Sequence, residues 1–286
     1  MDTRDARPID DRTVAIVATP AASVAEGHDW EEAGAAWGRR ARDWACLFEH
    51  YAVETIQAVF ARIGVGEGTS LLDIACGSGL AVHYADGMGA DVAGIDAAAP
   101  LVDIARTRTP DADLRVGTMF ELPWADDSFD AVTSINGVWG GCEGALVEAS
   151  RVMRPGARIG ISFWGKGHLD LRDCFMAFAK NAPESHFDGM RRTNGISRPG
   201  IAEEMLESAG FEVIERGSRV STLEWPDVET AWRAVSSIGP AVPALENVGS
   251  EVLRTQVVPA LEQLRDRHGI YRFRNDHQFV IARKPT

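Results

Sequence analysis

Apolar positions along this chain change period again and again. Leu71, Leu72 and Ile74 form a short run suited to a buried strand, after which Ala81, Val82 and Tyr84 recur as on a helix face. The exchange repeats through strand 92–95 ending at Asp96, helix 99–107 stopped by Pro110, and strand 114–116 with a loop over 117–124. Strand 129–135, helix 145–153, a Pro155-Gly156 turn and strand 157–164 complete the series. Five strands alternating with helices predict a parallel, doubly wound α/β sheet with its ligand edge at the strand ends.

The flanks read differently. Residues 1–28, with Pro8 and Pro20, predict a flexible N-terminal arm, in which 13–18 is the one run able to form a strand. Trp30, Trp37, Trp44, Phe48 and Tyr51 follow at near-helical spacing and predict lid helices over 29–62, packed on the domain 29–286. Beyond Gly165 the alternation breaks, and 166–200 and 226–268 read as helical cap insertions. Helix 201–209, a sixth strand from 211–214 and a last strand 271–282 complete the reading.

Composition narrows the functional classes. The 286 residues are 45% hydrophobic, enough for a packed core, and carry a net charge of −13, which argues against nucleic acid as the main partner. Cys46, Cys76, Cys142 and Cys174 include no C-x-x-C pair, so neither a zinc site nor a disulfide framework is expected. No apolar run of membrane length and no signal-like segment is visible, so a soluble cytoplasmic protein is expected, with no membrane partner and either monomeric or homodimeric.

The candidate chemistry gathers at Asp73-Ile74-Ala75-Cys76-Gly77-Ser78-Gly79. A strand, a glycine turn and a helix in that order suit a nucleotide-type cofactor, because glycine lets the backbone approach a ligand and the helix start leaves free N–H groups there. The nicotinamide fingerprint fails, since Val82 stands where a third glycine is wanted. Asp73 suits an ammonium or amide, and Asp96, 19 residues past Gly77, suits ribose hydroxyls; a helix cap and a turn residue are their bland alternatives.

Four segments, L-L-D-I-A-C-G-S-G, V-A-G-I-D, E-L-P-W-A-D-D-S-F-D-A-V and R-V-M-R-P-G-A-R-I-G-I-S, resemble the class I S-adenosylmethionine-dependent methyltransferases in order and spacing. The similarity is to the ubiquinone/menaquinone-biosynthesis-like branch, covers about residues 69–164, and extends to the closing N-D-H-Q-F-V-I-A-R-K-P. It implies a Rossmann-like seven-stranded sheet of order 3-2-1-4-5-7-6 with the last strand antiparallel. It also implies S-adenosyl-L-methionine as cofactor, S-adenosyl-L-homocysteine as product and a small-molecule acceptor methylated on O, N or C.

By position, the resemblance implies that Asp73, Ala75, Cys76, Gly77 and Gly79 surround the methionine part; Trp44, from the aromatic spacing of the N-terminal helices, is a further candidate at the cofactor mouth. Asp96 would hold the ribose, Ala97, Met119 and Phe120 would flank the adenine, and Asn136 would line the sulfonium end. Thr118 replaces the aspartate of many relatives at the adenine amino group, and Ala75 replaces a commoner glycine. Trp37, Trp139 and Trp164 are candidate walls of the acceptor pocket.

Methyl transfer from a sulfonium is a displacement on an activated carbon, so alignment is the main task and can supply roughly 7–11 kcal/mol. A base is needed only for an acceptor that loses a proton; His168, Asp170 and His186 are the candidates, with His28 and His50 behind them. No metal-ligand spacing appears. The rival readings are a methyltransferase-fold protein that runs a non-methylating reaction or only binds a ligand, a protein or nucleic-acid methyltransferase and, disfavoured, a nicotinamide dehydrogenase.

Overall fold

Leu71, Leu72 and Ile74 are almost wholly buried because their strand lies at the centre of the sheet. The computed structural model describes residues 30–183 and 194–286, except for the side chains of 166–168. The seven strands are β1 (Ser70–Ile74), β2 (Asp91–Asp96), β3 (Asp113–Val116), β4 (Phe129–Ile135), β5 (Met153–Leu169), β6 (Glu212–Trp225) and β7 (Tyr271–Arg283). Their order is β3-β2-β1-β4-β5-β7-β6, parallel except that β7 runs antiparallel to both β5 and β6. The expected seven-stranded topology is therefore present.

Helices α1 (Trp30–Gly38), α2 (Ala41–Leu47) and α3 (Val53–Ile63) precede the sheet. Helices α4 (Leu80–Asp86), α5 (Ala99–Arg108) and α6 (Glu143–Val152) are the crossovers. After β5 come α7 (Arg172–Asn181) and α8 (Ile201–Ser208), and between β6 and β7 come α9 (Val228–Val235), α10 (Val242–Val248) and α11 (Ser250–Glu262). One core joins Phe48, Tyr51 and Phe60 to Phe175, Trp232 and Leu253, so the N-terminal helices, α7 and the late helices share one sheet face. The opposite face packs Leu72, Ile95 and Val132 under α6 and α8.

Two boundaries depart from the sequence reading. Strand β5 continues to Leu169, so the segment after 165 begins as strand and only then becomes α7. Strand β6 runs to Trp225, far past Ile214. Its stretch 215–222 is polar because β6 is the sheet edge, pairing only with β7, and most of those side chains meet solvent. The N-terminal arm, with its possible strand at 13–18, lies outside the described residues. Among the described residues no helix is long and apolar enough to cross a membrane.

Candidate functional site

The register of the three central strands puts the two acids at the open end. Asp73 pairs with Gly94 of β2 and Thr133 of β4, and Thr133 donates its hydroxyl to Asp73 Oδ1 at 2.7 Å. Asp73 is buried with no salt-bridge partner among the described residues. Desolvation pushes its pKa up to about 7, against the Thr133 hydrogen bond and with help from the Asp96 charge. A buried carboxylate held this way fits an incoming ammonium.

Asp96 ends β2 and binds the glycine turn to its own strand end. Oδ2 accepts from the Gly77 N–H at 2.8 Å and Oδ1 from the Ala98 N–H at 2.8 Å. Burial raises its pKa while those two bonds lower it. A carboxylate has about four lone-pair sites, so two remain for hydroxyl donors. Gly77 and Gly79 have positive φ, and a Cβ on Gly79 would lie 2.7 Å from Ala105 Cβ, so α4 meets α5 only with glycine there.

Ala75 also adopts a left-handed backbone, φ 57°, which explains why glycine suits this position. Cys76 turns inward against Val82, Val102 and Leu114, so only its backbone faces the turn; burial pushes its thiol well above the ordinary value. Thr118 Oγ1 accepts from the Phe120 N–H at 3.2 Å, and Met119 and Phe120 pack half-buried on the α6 side.

The aromatic N-terminal helices close over this end. Trp44 Nε1 lies 4.0 Å from where a Gly77 Cβ would stand, and Trp37 meets Trp44 edge-on at 4.9 Å. A Cβ on Gly34 would stand 2.2 Å from the Ala97 carbonyl oxygen, so α1 rests directly on the Ala97 backbone. Glu49, in the short turn after α2, is the buried tie. It accepts from the Ser78 hydroxyl and, at 2.5 Å, from Arg108, whose guanidinium also reaches the Ser78 and Ala45 carbonyls. Desolvation raises the Glu49 pKa in spite of Arg108.

Asn136 sits just past β4 with φ 58°. Its Nδ2 donates to the Tyr51 hydroxyl at 2.5 Å, and its Oδ1 lies 2.9 Å from His277 Nε2. Burial and the nearby Glu49 charge push the Tyr51 pKa up, and burial alone takes His277 down to about 3, so both are neutral. Trp164 stands in this cluster, 4.9 Å from the Tyr51 ring. Trp139 instead packs on the other face, with its Nε1 buried and unpartnered among the described residues.

The candidate bases divide. Asp170 is engaged with β7, accepting from the Arg274 N–H at 2.8 Å. His50 is exposed and lines a surface groove with His83, Tyr84 and Arg108. His28 and His186, and the side chain of His168, lie outside the described residues. Among the described residues no group of acids, histidines and cysteines could hold a metal.

Sequence reasoning missed Glu49, Thr133 and His277, whose partners lie 29, 60 and 141 residues away. Only His277 left a signal, as a polar residue in the apolar alternation of Tyr271, Phe273, Phe279 and Ile281.

A mostly parallel sheet with a glycine turn, a carboxylate ending β2 and helices closing above it has the form of an α/β nucleotide-cofactor domain. Residues 72–161 match the model of a methyltransferase domain. The demethylmenaquinone methyltransferase of Renibacterium salmoninarum is 38% identical over 104 residues, covering 35% of this chain and 44% of that protein. The ubiquinone biosynthesis O-methyltransferase of Sinorhizobium fredii is 31% identical over 158 residues, covering 52% and 62%. A solved structure from Bacillus halodurans shares the fold at 18% identity and TM-score 0.55, over 82% of this chain and 100% of that one. The chain spans about half the length of the curated relatives it matches. The sheet core is thus similar to a class I S-adenosylmethionine-dependent methyltransferase domain, and its curated relatives named here are menaquinone- and ubiquinone-biosynthesis methyltransferases.

Proposed function

We propose that the protein transfers a methyl group from S-adenosyl-L-methionine to an O, N or C atom of a small-molecule acceptor. The observation that carries this reading is the pair of carboxylates at the ends of adjacent strands, Asp73 buried and without a cationic partner among the described residues, and Asp96 half-buried and fixed by two backbone N–H groups. When bound, the cofactor supplies an activated methyl carbon, whose bond to sulfur breaks as an acceptor lone pair attaches.

Asp73 takes the ammonium and Asp96 the ribose hydroxyls. Ala97, Thr118, Met119 and Phe120 border the adenine, and Asn136 the sulfonium end. Trp44 covers Gly77 as part of a lid over 29–62 and excludes water. Trp37 and Trp164, with the helices after β5 and β6, wall the acceptor side.

Calorimetric titration with S-adenosylmethionine and S-adenosylhomocysteine tests the site. Micromolar binding that weakens roughly 30-fold or more in Asp96→Ala is expected, from losing charge-assisted hydrogen bonds worth about 2–3 kcal/mol. Absence of binding by the folded protein overturns the reading. Formation of S-adenosylhomocysteine one-for-one with product separates methyl transfer from a non-methylating reaction on the same fold.

A further inference from the structure

Strand β7 alternates Tyr271, Phe273, Asn275, His277, Phe279 and Ile281 toward the helices, all of them buried. Two of the six are polar, and both are short of partners. Among the described residues neither side-chain polar atom of Asn275 has a hydrogen bond, although the residue is 0% exposed. Ser221, opposite Asn275 in the register with β6, is equally buried and its hydroxyl too is unpartnered among the described residues. His277 uses Nε2 on Asn136 Oδ1 and leaves Nδ1 unpartnered among the described residues. Because an amide oxygen only accepts, Nε2 carries the proton and Nδ1 is a bare acceptor.

Buried polar atoms are nearly always paired, and an unpaired one destabilises the fold. Four such atoms on three residues close together in the register of β6 and β7 are a concentrated departure from that rule. Their surroundings are aromatic. Trp164 lies opposite His277 in the β5 register, the Tyr51 ring is 5.5 Å from the imidazole, and Phe175 meets Trp164 at 5.7 Å. Through Asn136 the cluster is joined to the end of β4, where the methyl donor's sulfonium is placed under the reading above.

We infer that Ser221, Asn275 and His277 form the polar floor of the acceptor subsite, which takes an uncharged group bearing a hydrogen-bond donor on an aromatic or apolar body. The ligand's N–H or O–H donates to His277 Nδ1, and its oxygen accepts from Asn275 Nδ2 or the Ser221 hydroxyl. A charged group is disfavoured because none of these three side chains carries a charge to compensate it. The inference rests on the methyl-transfer reading for the identity of the ligand, and not for the existence of the subsite.

The test uses the full chain loaded with S-adenosylhomocysteine and four probes: benzamide, phenol, benzoate and benzylamine. Calorimetric titration is expected to show saturable binding of benzamide and phenol, with benzoate and benzylamine much weaker. In Asn275→Leu the binding of benzamide falls at least about tenfold while S-adenosylhomocysteine binds as in wild type.

The same variant without ligand melts higher by about 3 °C, because an unsatisfied amide has been removed. A structural asparagine would instead be destabilised by that change. Asn275→Val repeats the measurement with a smaller side chain should leucine crowd the site.

Three results overturn the proposal: no saturable binding of either neutral probe, benzamide binding indifferent to both substitutions, or charged probes binding as well as neutral ones. A lower melting temperature in both variants also overturns it, since the amide would then be paired within the fold. Loss of S-adenosylhomocysteine binding by wild type is a separate outcome and strikes only the cofactor reading.

Discussion

Ser78 donates its hydroxyl hydrogen to Glu49, which ties the turn between Gly77 and Gly79 to the segment leading out of α2. Arg108 at the end of α5 completes the tie from the other side, bonding Glu49 and the Ser78 carbonyl together. The helices above the site and the loop beneath it are therefore one hydrogen-bonded unit. Side-chain exposures of 6% for Glu49 and 22% for Arg108 keep solvent from screening the pair.

Removing Glu49 strands a mostly buried guanidinium. Glu49→Ala is expected to cost about 3 kcal/mol, the low end for a broken buried pair, since Arg108 keeps its carbonyl acceptors. Ser78→Ala is expected to cost about 1 kcal/mol, because Glu49 stays paired with Arg108. Urea unfolding of both variants and the double variant should show less-than-additive losses. Strict additivity would mean that Glu49 and Ser78 act apart.

Asp73 sets a pH dependence. Its pKa rises from 3.8 unfolded to about 7 folded, so between those values the native state holds a proton that the unfolded state has lost. Stability therefore falls as pH rises from about 4 to 7 and levels off above. Asp73→Asn, which keeps an acceptor for Thr133, should remove that slope and be the more stable protein at pH 8. Affinity for S-adenosylhomocysteine should run the other way in wild type, strengthening as pH rises through 7, because the ammonium pairs only with the ionised acid. Thermal unfolding and calorimetry at pH 5 and 8 measure both slopes; a flat wild-type profile refutes the assignment.

Asp73 and Asp96 could be placed from sequence because they lie at or next to the ends of strands that short apolar runs announce, close to a turn that glycine marks. Their partners could not, since Thr133 joins Asp73 only through strand register. Likewise β6 hid beyond Ile214, because an edge strand in solvent needs no apolar alternation, while β7 was visible through its apolar face. The N-terminal aromatics announced helices but not their contacts. That Trp44 lies over Gly77 and that Trp139 and Trp164 sit on opposite faces are properties of packing, not of spacing.

Ala75 and Gly137 face each other across the strand ends, both constrained. A Cβ on Gly137 would stand 2.4 Å from Ala75 Cβ and 2.6 Å from Ser134 Oγ. The left-handed backbone of Ala75 costs about 1–2 kcal/mol, and glycine's extra entropy returns about 0.5–1 of that. Ala75→Gly is thus expected to gain about 0.5 kcal/mol. Gly137→Ala should destabilise clearly, and adding Ala75→Gly should recover part of the loss, leaving the Ser134 clash. Urea midpoints of the three variants decide; no recovery would mean that the Ala75 contact is irrelevant.

Asn136 has two separable duties, a backbone one and a side-chain one. Asparagine tolerates φ 58° better than other side-chain-bearing residues, and here its amide also pairs with both Tyr51 and His277. Tyr51→Phe removes one bond and should cost about 1 kcal/mol. Asn136→Gly keeps the backbone but leaves two buried groups unpaired, so about 2–3 kcal/mol is expected. Asn136→Ala adds the left-handed penalty, about 1 kcal/mol more. Chemical denaturation should return that order. If Gly and Ala cost the same, the left-handed backbone is not what selects asparagine; if Gly costs no more than Tyr51→Phe, the bond to His277 contributes nothing and the hydroxyl alone accounts for the amide.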